Sequence, residues 1–478
     1  MGDTTGTAEP SAAAVRRRVG GWMMFDFASQ PFYTLCLTFI FGPYFVAVLA
    51  EAALLDGVES EASKAQAQQV WSWTQSGIGF AIALSAPLLG AFADRSGNRM
   101  PWVWAFSVMY ALGAAGLWVM APDGSAMWLA IFAFGLLMIG AEYTTIFTNA
   151  MLPGLAPPGQ EGRISGNGYA IGYAGGVLAL IVMLLAFADN ETGTTLLGGV
   201  PALGLNGAER EGTRFVGPFT ALWFIVFMVP FFLLVREPKM PKTQVSLALA
   251  WADVKSLLAQ LPGRPSLSAF LAGSMLYRDG LVALYSFGGT YAVLVLGWET
   301  TQVGVFGIVG AITAAIASYI GGGLDEKYGP KPVIVGATLI LASVVIVLAF
   351  MAPDSLFGVP IPTGWTGTGV VAFIMGADYG LADVFFLLIG AVIGGAGGVL
   401  QAASRTMMVR HADPEKATEA FGLYALAGKA TAFIAPLSIG LATLATGSAR
   451  LGIIPVAVLF LIGLLLLRWV KPEGDVGR

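Results

Sequence analysis

The sequence predicts an all-α membrane protein of twelve transmembrane helices in two six-helix bundles. Three observations carry this. The 478-residue chain is 56% hydrophobic and only 11% charged, against about 25% charged in a soluble domain. Apolar runs long enough to cross a bilayer, about 20 residues each, recur from end to end. A loop motif also appears twice, at matched places in the two halves of the chain.

The composition sets the class. A mean hydropathy of +0.75 leaves too few charges to cover a soluble surface of this size. Backbone groups in lipid must be satisfied internally, so spans are helices or a closed barrel. The runs show no two-residue alternation, which excludes the barrel. The single cysteine, Cys36, lies in an apolar run and reads as a packing residue, with no intrachain disulfide possible. With one histidine and one cysteine, no transition-metal or histidine-based catalytic site can be assembled, and His411 reads as a surface residue. No phosphate-binding glycine–lysine loop is present, so no nucleotide or other cofactor is implied, and an ion gradient is the expected energy source. No basic patch points to nucleic acid.

The spans fall at about 21–50, 70–93, 101–121, 126–152, 164–188, 216–235, 267–296, 302–324, 332–352, 382–408, 418–445 and 451–470. Span 1 follows Arg16, Arg17 and Arg18 and lacks a small-residue cleavage site, so it reads as an uncleaved helix. With the N-terminus inside, nineteen of the 25 lysines and arginines fall in inside segments, Arg405 counted among them. Four fall outside (Lys64, Arg210, Arg214 and Arg450), and Arg278 and Lys429 lie within spans. This bias places both termini in the cytoplasm of a multi-pass inner-membrane protein. The expected layout is an N-terminal tail over 1–20, a bundle over 21–235, a linker over 236–266, a second bundle over 267–470 and a tail over 471–478. The linker carries four prolines around an amphipathic segment, Leu247 to Leu261. The outside stretches 189–215 and 353–381 read as irregular loops. In span 5, Gly168, Gly172 and Gly176 recur every four residues, as do Gly390, Gly394 and Gly398 in span 10. Such stripes bring helix backbones close, either as plain tight packing or as faces that slide during a conformational cycle.

The repeated motif follows spans 2 and 8. The first copy reads Gly90-Ala-Phe-Ala-Asp94-Arg95-Ser-Gly97-Asn-Arg99, and the second Gly322-Gly-Leu-Asp-Glu326-Lys327-Tyr-Gly329-Pro-Lys331. Glycine, acid, base, glycine and base keep the same spacing. The first glycine allows close approach to a neighbouring helix. The acid can accept the free N–H groups of a helix N-terminus, the second glycine turns the chain, and the bases stay on the cytoplasmic side, where they can pair with acids of the same half. Such a cluster holds one global conformation, and its breakage permits another.

This pattern resembles the signature loop of the major facilitator superfamily. Glu326 stands where aspartate is usual and Pro330 sits in the turn, which bears on the strength of the second copy. A narrower resemblance covers nearly the whole chain. It rests on WMMFDFASQPFYTLCLTFIFGPYF (Trp22 to Phe45), Asn149-Ala-Met-Leu-Pro153, Gly162-Arg-Ile-Ser-Gly166 and Gly172-Tyr-Ala-Gly175. Further along it rests on Gln401-Ala-Ala-Ser404-Arg405, Glu419-Ala-Phe421-Gly422-Leu-Tyr424, Gly428-Lys429 and Pro436. These are similar to the branch of autophagy-linked vacuolar amino-acid effluxers of fungi and their bacterial members. The resemblance implies secondary active transport of a small solute, possible amino-acid transport, rocking of two halves around a midplane site, and spans 1, 4, 7 and 10 lining the cavity. It implies a monomer working in lipid, with a proton as the coupling ion. The alternatives are a channel or lipid scramblase and, with no catalytic cluster in view, an integral-membrane enzyme.

Ionisable groups inside spans are costly and mark function. Glu142 in span 4, Arg278 and Asp279 in span 7 and Lys429 in span 11 lie near mid-depth. Two are acids and two are bases, so mutual neutralisation is open. Glu142 is the first candidate for proton coupling, ahead of Asp279 and Asp26, with pairing to Arg278 or Lys429 as its competing role. Arg278 is a candidate anion contact. Arg278 and Asp279 are adjacent and point in different directions, so they do not simply pair. Asp26, shallower in span 1, reads as part of a charge network near the inside face, and Lys429 as a structural partner. Tyr143, Asn149 and Gln401 are candidate neutral substrate contacts, with helix packing as the alternative for each.

Overall fold

The structure is a computed structural model that describes all residues except 1–10, 191, 238–242, 295, 297, 299, 363–379, 432, 449 and 476–478. Twelve helices among the described residues are long and apolar enough to cross a membrane. Spans 1 to 6 are Ala12–Leu55, Ala62–Ser96, Met100–Val119, Met127–Leu155, Glu161–Ala186 and Glu211–Leu234. Spans 7 to 12 are Pro265–Gly289, Val303–Tyr328, Pro330–Ala349, Leu381–His411, Pro414–Thr446 and Leu451–Trp469.

Several ends differ from the sequence reading, for local reasons. Span 1 begins at Ala12 rather than near 21, because the Ser11 hydroxyl accepts the Ala14 N–H (3.3 Å) and caps the helix. Arg18 lies in this added turn and donates to the Gly154 carbonyl at the end of span 4 (3.1 Å). Span 1 is also interrupted. After Pro31 it widens into a π-helical stretch, Phe32–Phe39, and an α-helix restarts over Phe41–Leu55. Span 11 is two helices, Ala417–Ala430 and Ile434–Thr446, where the sequence predicts one continuous span over 418–445. Pro436 explains the restart. It has no N–H to give to the preceding turn, which is tolerated only in the first turn of a helix.

Spans 1 to 6 pack into one bundle and spans 7 to 12 into another. The linker helix, Leu247–Gln260, seats Ala250 and Val254 on Leu88, Ala91 and Phe92 of span 2. Arg95 at the end of span 2 forms an ion pair with Asp253 of the linker helix and donates to the Gln244 carbonyl (3.1 Å). Between the bundles, span 2 packs on span 11, and span 5 on spans 8 and 10. Twelve crossings put the described chain ends on one face, called the terminal face below. The Asp475 carboxylate, near the C-terminus, caps the start of span 7 by accepting the Ser266 and Leu267 N–H groups (3.1 and 2.9 Å).

The glycine stripes pack within bundles. A Cβ on Gly168, Gly172 or Gly176 would strike Asp26, Gln30 or Thr34 of span 1, and one on Gly390, Gly394 or Gly398 would strike Phe306, Gly310, Ala314 or Ser318 of span 8. Gly168 also borders the Arg405 guanidinium of span 10, and the other close approaches across the bundles use glycines outside the stripes. Gly166 of span 5 faces Gly322 of span 8, Gly90 of span 2 faces the Thr418 backbone of span 11, and Gly422 faces Ala86 and Pro87 of span 2.

His411, expected on the surface, is 3% exposed. It stacks on Phe270 and meets Ser266 Oγ at 2.7 Å, fixing the end of span 10 to the start of span 7. The loop over 189–215 is more ordered than its composition suggests. Buried Asp189 accepts from Thr213 N (3.2 Å), Thr213 Oγ1 (2.6 Å) and Arg210 Nε (3.1 Å), and so seats the short helix Glu211–Arg214. In the loop over 353–381, Ser355–Leu356 and Val359–Pro360 form a two-stranded hairpin, and 363–379 lie outside the described residues.

Candidate functional site between the bundles

Among the described residues, two ion pairs cross between the bundles deep within the spans, apart from the more exposed Arg163–Glu326 contact at the ends of spans 5 and 8. The deeper in burial joins Asp26 of span 1 to Arg405 of span 10 at 3.0 Å, with side chains 15% and 3% exposed. A second partner set makes burial of the arginine tolerable. Nε donates to Ser165 Oγ (2.9 Å), Nη2 to the Ser165 carbonyl (2.7 Å) and Nη1 to Asn149 Oδ1 (3.3 Å). The guanidinium also lies over the rings of Trp22 (4.8 Å) and Tyr169 (4.3 Å). Gly168 leaves the room, since a Cβ there would sit 2.3 Å from Asp26 Oδ2. The sequence tally groups Arg405 with the inside bases, whereas the structure places it within span 10, and position 405 lies inside the limits the sequence predicts for that span.

The second pair joins Glu142 of span 4 to Lys429 of span 11 at 3.2 Å, with side chains 18% and 24% exposed. Of the two bases open to Glu142 in the sequence, the ion pair is with Lys429. Arg278 of span 7 makes no ion pair among the described residues. Its Nη1 donates to the Tyr424 carbonyl (3.1 Å), its guanidinium covers the Tyr424 ring (4.3 Å), and it lies flat on Gly428, where a Cβ would be 2.5 Å from Cζ. It lies within electrostatic reach of Glu142. The geometry therefore places a half-buried guanidinium, free of carboxylate, beside an ion pair that bridges the bundles. Asp279, next to Arg278, is buried and turned the other way, toward Thr431.

The neutral candidates separate. Asn149 accepts from Arg405 and so belongs to the Asp26 network. Gln401 Nε2 donates to Tyr173 Oη (2.9 Å), another link between bundles. Tyr143 is 4% exposed, stacks on Phe106 and shares a hydrogen bond with Ser85 (2.6 Å), all within the first bundle.

The two loop motifs differ in what they hold. Asp94 Oδ1 accepts from Arg99 Nη2 (2.8 Å) and Thr418 Oγ1 (2.6 Å), while Oδ2 accepts the Glu419 N–H (2.9 Å). It thus caps the first turn of span 11 from across the interface. Arg99, 4% exposed, also pairs with Glu237 (2.7 Å) and donates to the Pro414 carbonyl (3.1 Å). Gly97 turns the chain at φ 67°.

The second copy keeps the turn, with Gly329 at φ 82°, but Glu326 is partly exposed and meets Arg163 at 3.8 Å. Lys327 lies over the Tyr328 ring, and Lys331 donates to the Val470 carbonyl (2.7 Å). The buried acid is Asp325, one residue earlier, set against Gly162 in the first turn of span 5. One residue on a helix is about 100° of rotation, and matching by spacing did not resolve it.

Comparison with known proteins agrees in outline. The family described as "Vacuole effluxer Atg22 like" matches residues 14–474. The uncharacterized MFS-type transporter YxiO of Bacillus subtilis is 22% identical over 463 residues, covering 96% of this chain and 95% of that one. Autophagy-related protein 22 of Cryptococcus neoformans is 24% identical over 322 residues, 65% of this chain and 50% of that protein. Among solved structures, the proton:xylose symporter XylE superposes with a TM-score of 0.66 at 12% identity, covering 97% of each chain. FucP in its outward conformation gives 0.65 at 12% identity, covering 95% of this chain and 99% of that one. At these identities the likeness to the solved structures is one of fold.

Proposed function

Because the chain belongs to the Atg22-like family and is a secondary transporter of the major facilitator fold, we propose that it carries small zwitterions, amino acids among them. The observation that carries this reading is Arg278, a guanidinium with no carboxylate of its own, beside the Glu142–Lys429 pair. A planar guanidinium binds a carboxylate through two parallel hydrogen bonds. Tyr424 and Gly428 hold Arg278 flat, so little conformational freedom remains to be lost on binding. The substrate's carboxylate docks on Arg278. Its ammonium then takes the place of Lys429 on Glu142, so that loading the site releases one bridge between the bundles. That exchange fits transport by alternating access, and the family resemblance supports an ion gradient as driving force and a single chain as the working unit.

The panel experiment is uptake of labelled amino acids into proteoliposomes, with and without a pH gradient. Saturable uptake is expected. Wild-type protein should prefer a free amino acid over its methyl ester by on the order of 100-fold, because the ester leaves Arg278 unpaired. Arg278→Gln should abolish that preference. Equal handling of acid and ester by wild-type protein would sink the assignment, and flux without saturation would favour a channel.

The charge bias of the loops supports a cytoplasmic terminal face in the inner membrane. Reporter fusions at residue 250 and at the C-terminus should score cytoplasmic, and a fusion at residue 200 periplasmic. A periplasmic score at 250 would overturn this orientation.

A further inference from the structure

Asp279 is 5% exposed, near the middle of span 7, and its Oδ2 has no hydrogen-bond partner among the described residues. A buried, unpaired carboxylate oxygen is expensive and calls for a compensating group. It faces Thr431, whose buried hydroxyl is near enough to interact with the carboxylate but completes no hydrogen bond of good geometry with it or with any other described group. Thr431 stands at the break in span 11, directly after Ala417–Ala430 and before Ile434–Thr446. A helix that ends leaves its last carbonyls without helical partners and carries partial negative charge there. The spot thus gathers a carboxylate oxygen, a hydroxyl oxygen and a helix C-terminus. Everything there except the hydroxyl proton is an acceptor.

The positive groups nearby are engaged elsewhere. Arg278, on the same helix, turns to Tyr424 and Gly428. Lys429, in the last turn before the break, reaches across to Glu142, and Arg405 of span 10 is held by Asp26. Span 12, packed on span 7, carries no charge over Ile454–Leu466.

We propose that Asp279 and Thr431, at the break in span 11, form a binding site for the coupling cation of transport. The charge of the site sets the class of ligand. One carboxylate and neutral oxygens balance a single positive charge, and no cluster of three acids, cysteines or histidines suited to a divalent ion exists among the described residues. The occupant is a sodium ion held by the oxygens, or a proton on Asp279 donated to Thr431. Either neutralises the carboxylate. Discontinuous helices place ion sites at their exposed ends in other transporters on the same electrostatic ground. The inference deepens the transport reading above and moves the coupling charge away from Glu142, which already has a cation in Lys429.

Its test reads cation binding directly and needs no substrate, so failure of the cation site and failure of the transport reading are told apart. Thermal unfolding of the purified full chain in detergent is followed in sodium chloride and in choline chloride at equal ionic strength, at several pH values. A sodium-dependent rise of several degrees that Asp279→Asn abolishes and Thr431→Val weakens identifies a sodium site. A pH dependence insensitive to sodium, lost in Asp279→Asn, identifies a proton site. Wild-type stability indifferent to both would overturn the proposal. So would a cation response that survives in Asp279→Asn and disappears in Glu142→Gln. If Asp279→Asn does not fold, Thr431→Val alone decides: an undiminished response in it also overturns the proposal.

Discussion

Arg405→Gln is expected to destabilise the protein by about 3 kcal/mol or more, since breaking a buried pair leaves an uncompensated charge. The partner left behind is Asp26, 15% exposed between the bundles. The loss extends beyond one ion pair. Two bonds to Ser165, one to Asn149 and stacking on Trp22 and Tyr169 go with it. Asp26→Asn in the Arg405→Gln background should restore part of the stability by removing the stranded carboxylate. Thermal unfolding of the two single variants and the double variant measures this. Simple additivity of the two losses would show that the residues do not act as a pair. The contact also joins the two bundles. It ties span 1 to span 10, so a rocking motion that opens the terminal face must separate it.

Asp94→Asn is expected to slow transport by about tenfold or more while leaving equilibrium substrate binding within a few-fold. Asparagine keeps the shape of the side chain but loses the charge. The amide can no longer form the ion pair with Arg99 or accept at both positions, so the bonds from Thr418 and the Glu419 N–H cannot all persist. Hydrogen bonds to charged groups contribute about 1.5–3 kcal/mol each. About 1.4 kcal/mol already changes a two-state population tenfold. The conformation closed at the terminal face is the one these bonds stabilise, and the substrate groups named above are not among them. Transport rates and equilibrium binding measured on the same preparation separate the two effects. Complete loss of binding in a folded variant would assign Asp94 to the substrate site instead of to the contact that holds the terminal face closed. The matching substitution Glu326→Gln should have a much smaller effect, because Glu326 makes one 3.8 Å contact at a partly exposed position.

Much of the architecture was legible in the sequence because spanning helices are locally determined. Every backbone group in lipid must be satisfied within its own segment, so a run of apolar residues specifies a helix whatever lies beside it. That is why the twelve spans and their helical class could be read from residue type and spacing, whereas the contact of the first motif with span 11 could not. Residues at mid-depth also announced themselves, since charge in an apolar run is rare.

Partnership and rotation were decided by the tertiary structure. Asp26 and Arg405 come from opposite bundles, as do Glu142 and Lys429, and nothing in either segment names its mate. Asp325 rather than Glu326 is buried against span 5 because of a rotation that spacing alone does not report. His411 looked like a loop residue and is buried because the start of span 7 covers it. Hydropathy stays high on both sides of Thr431, so it joined the two helices of span 11, while Pro436 in the first turn of the second helix marks the restart beyond the break. Hydropathy records how much each segment avoids water. It does not record which face of one helix meets which face of another, and in this protein the charges act through those meetings.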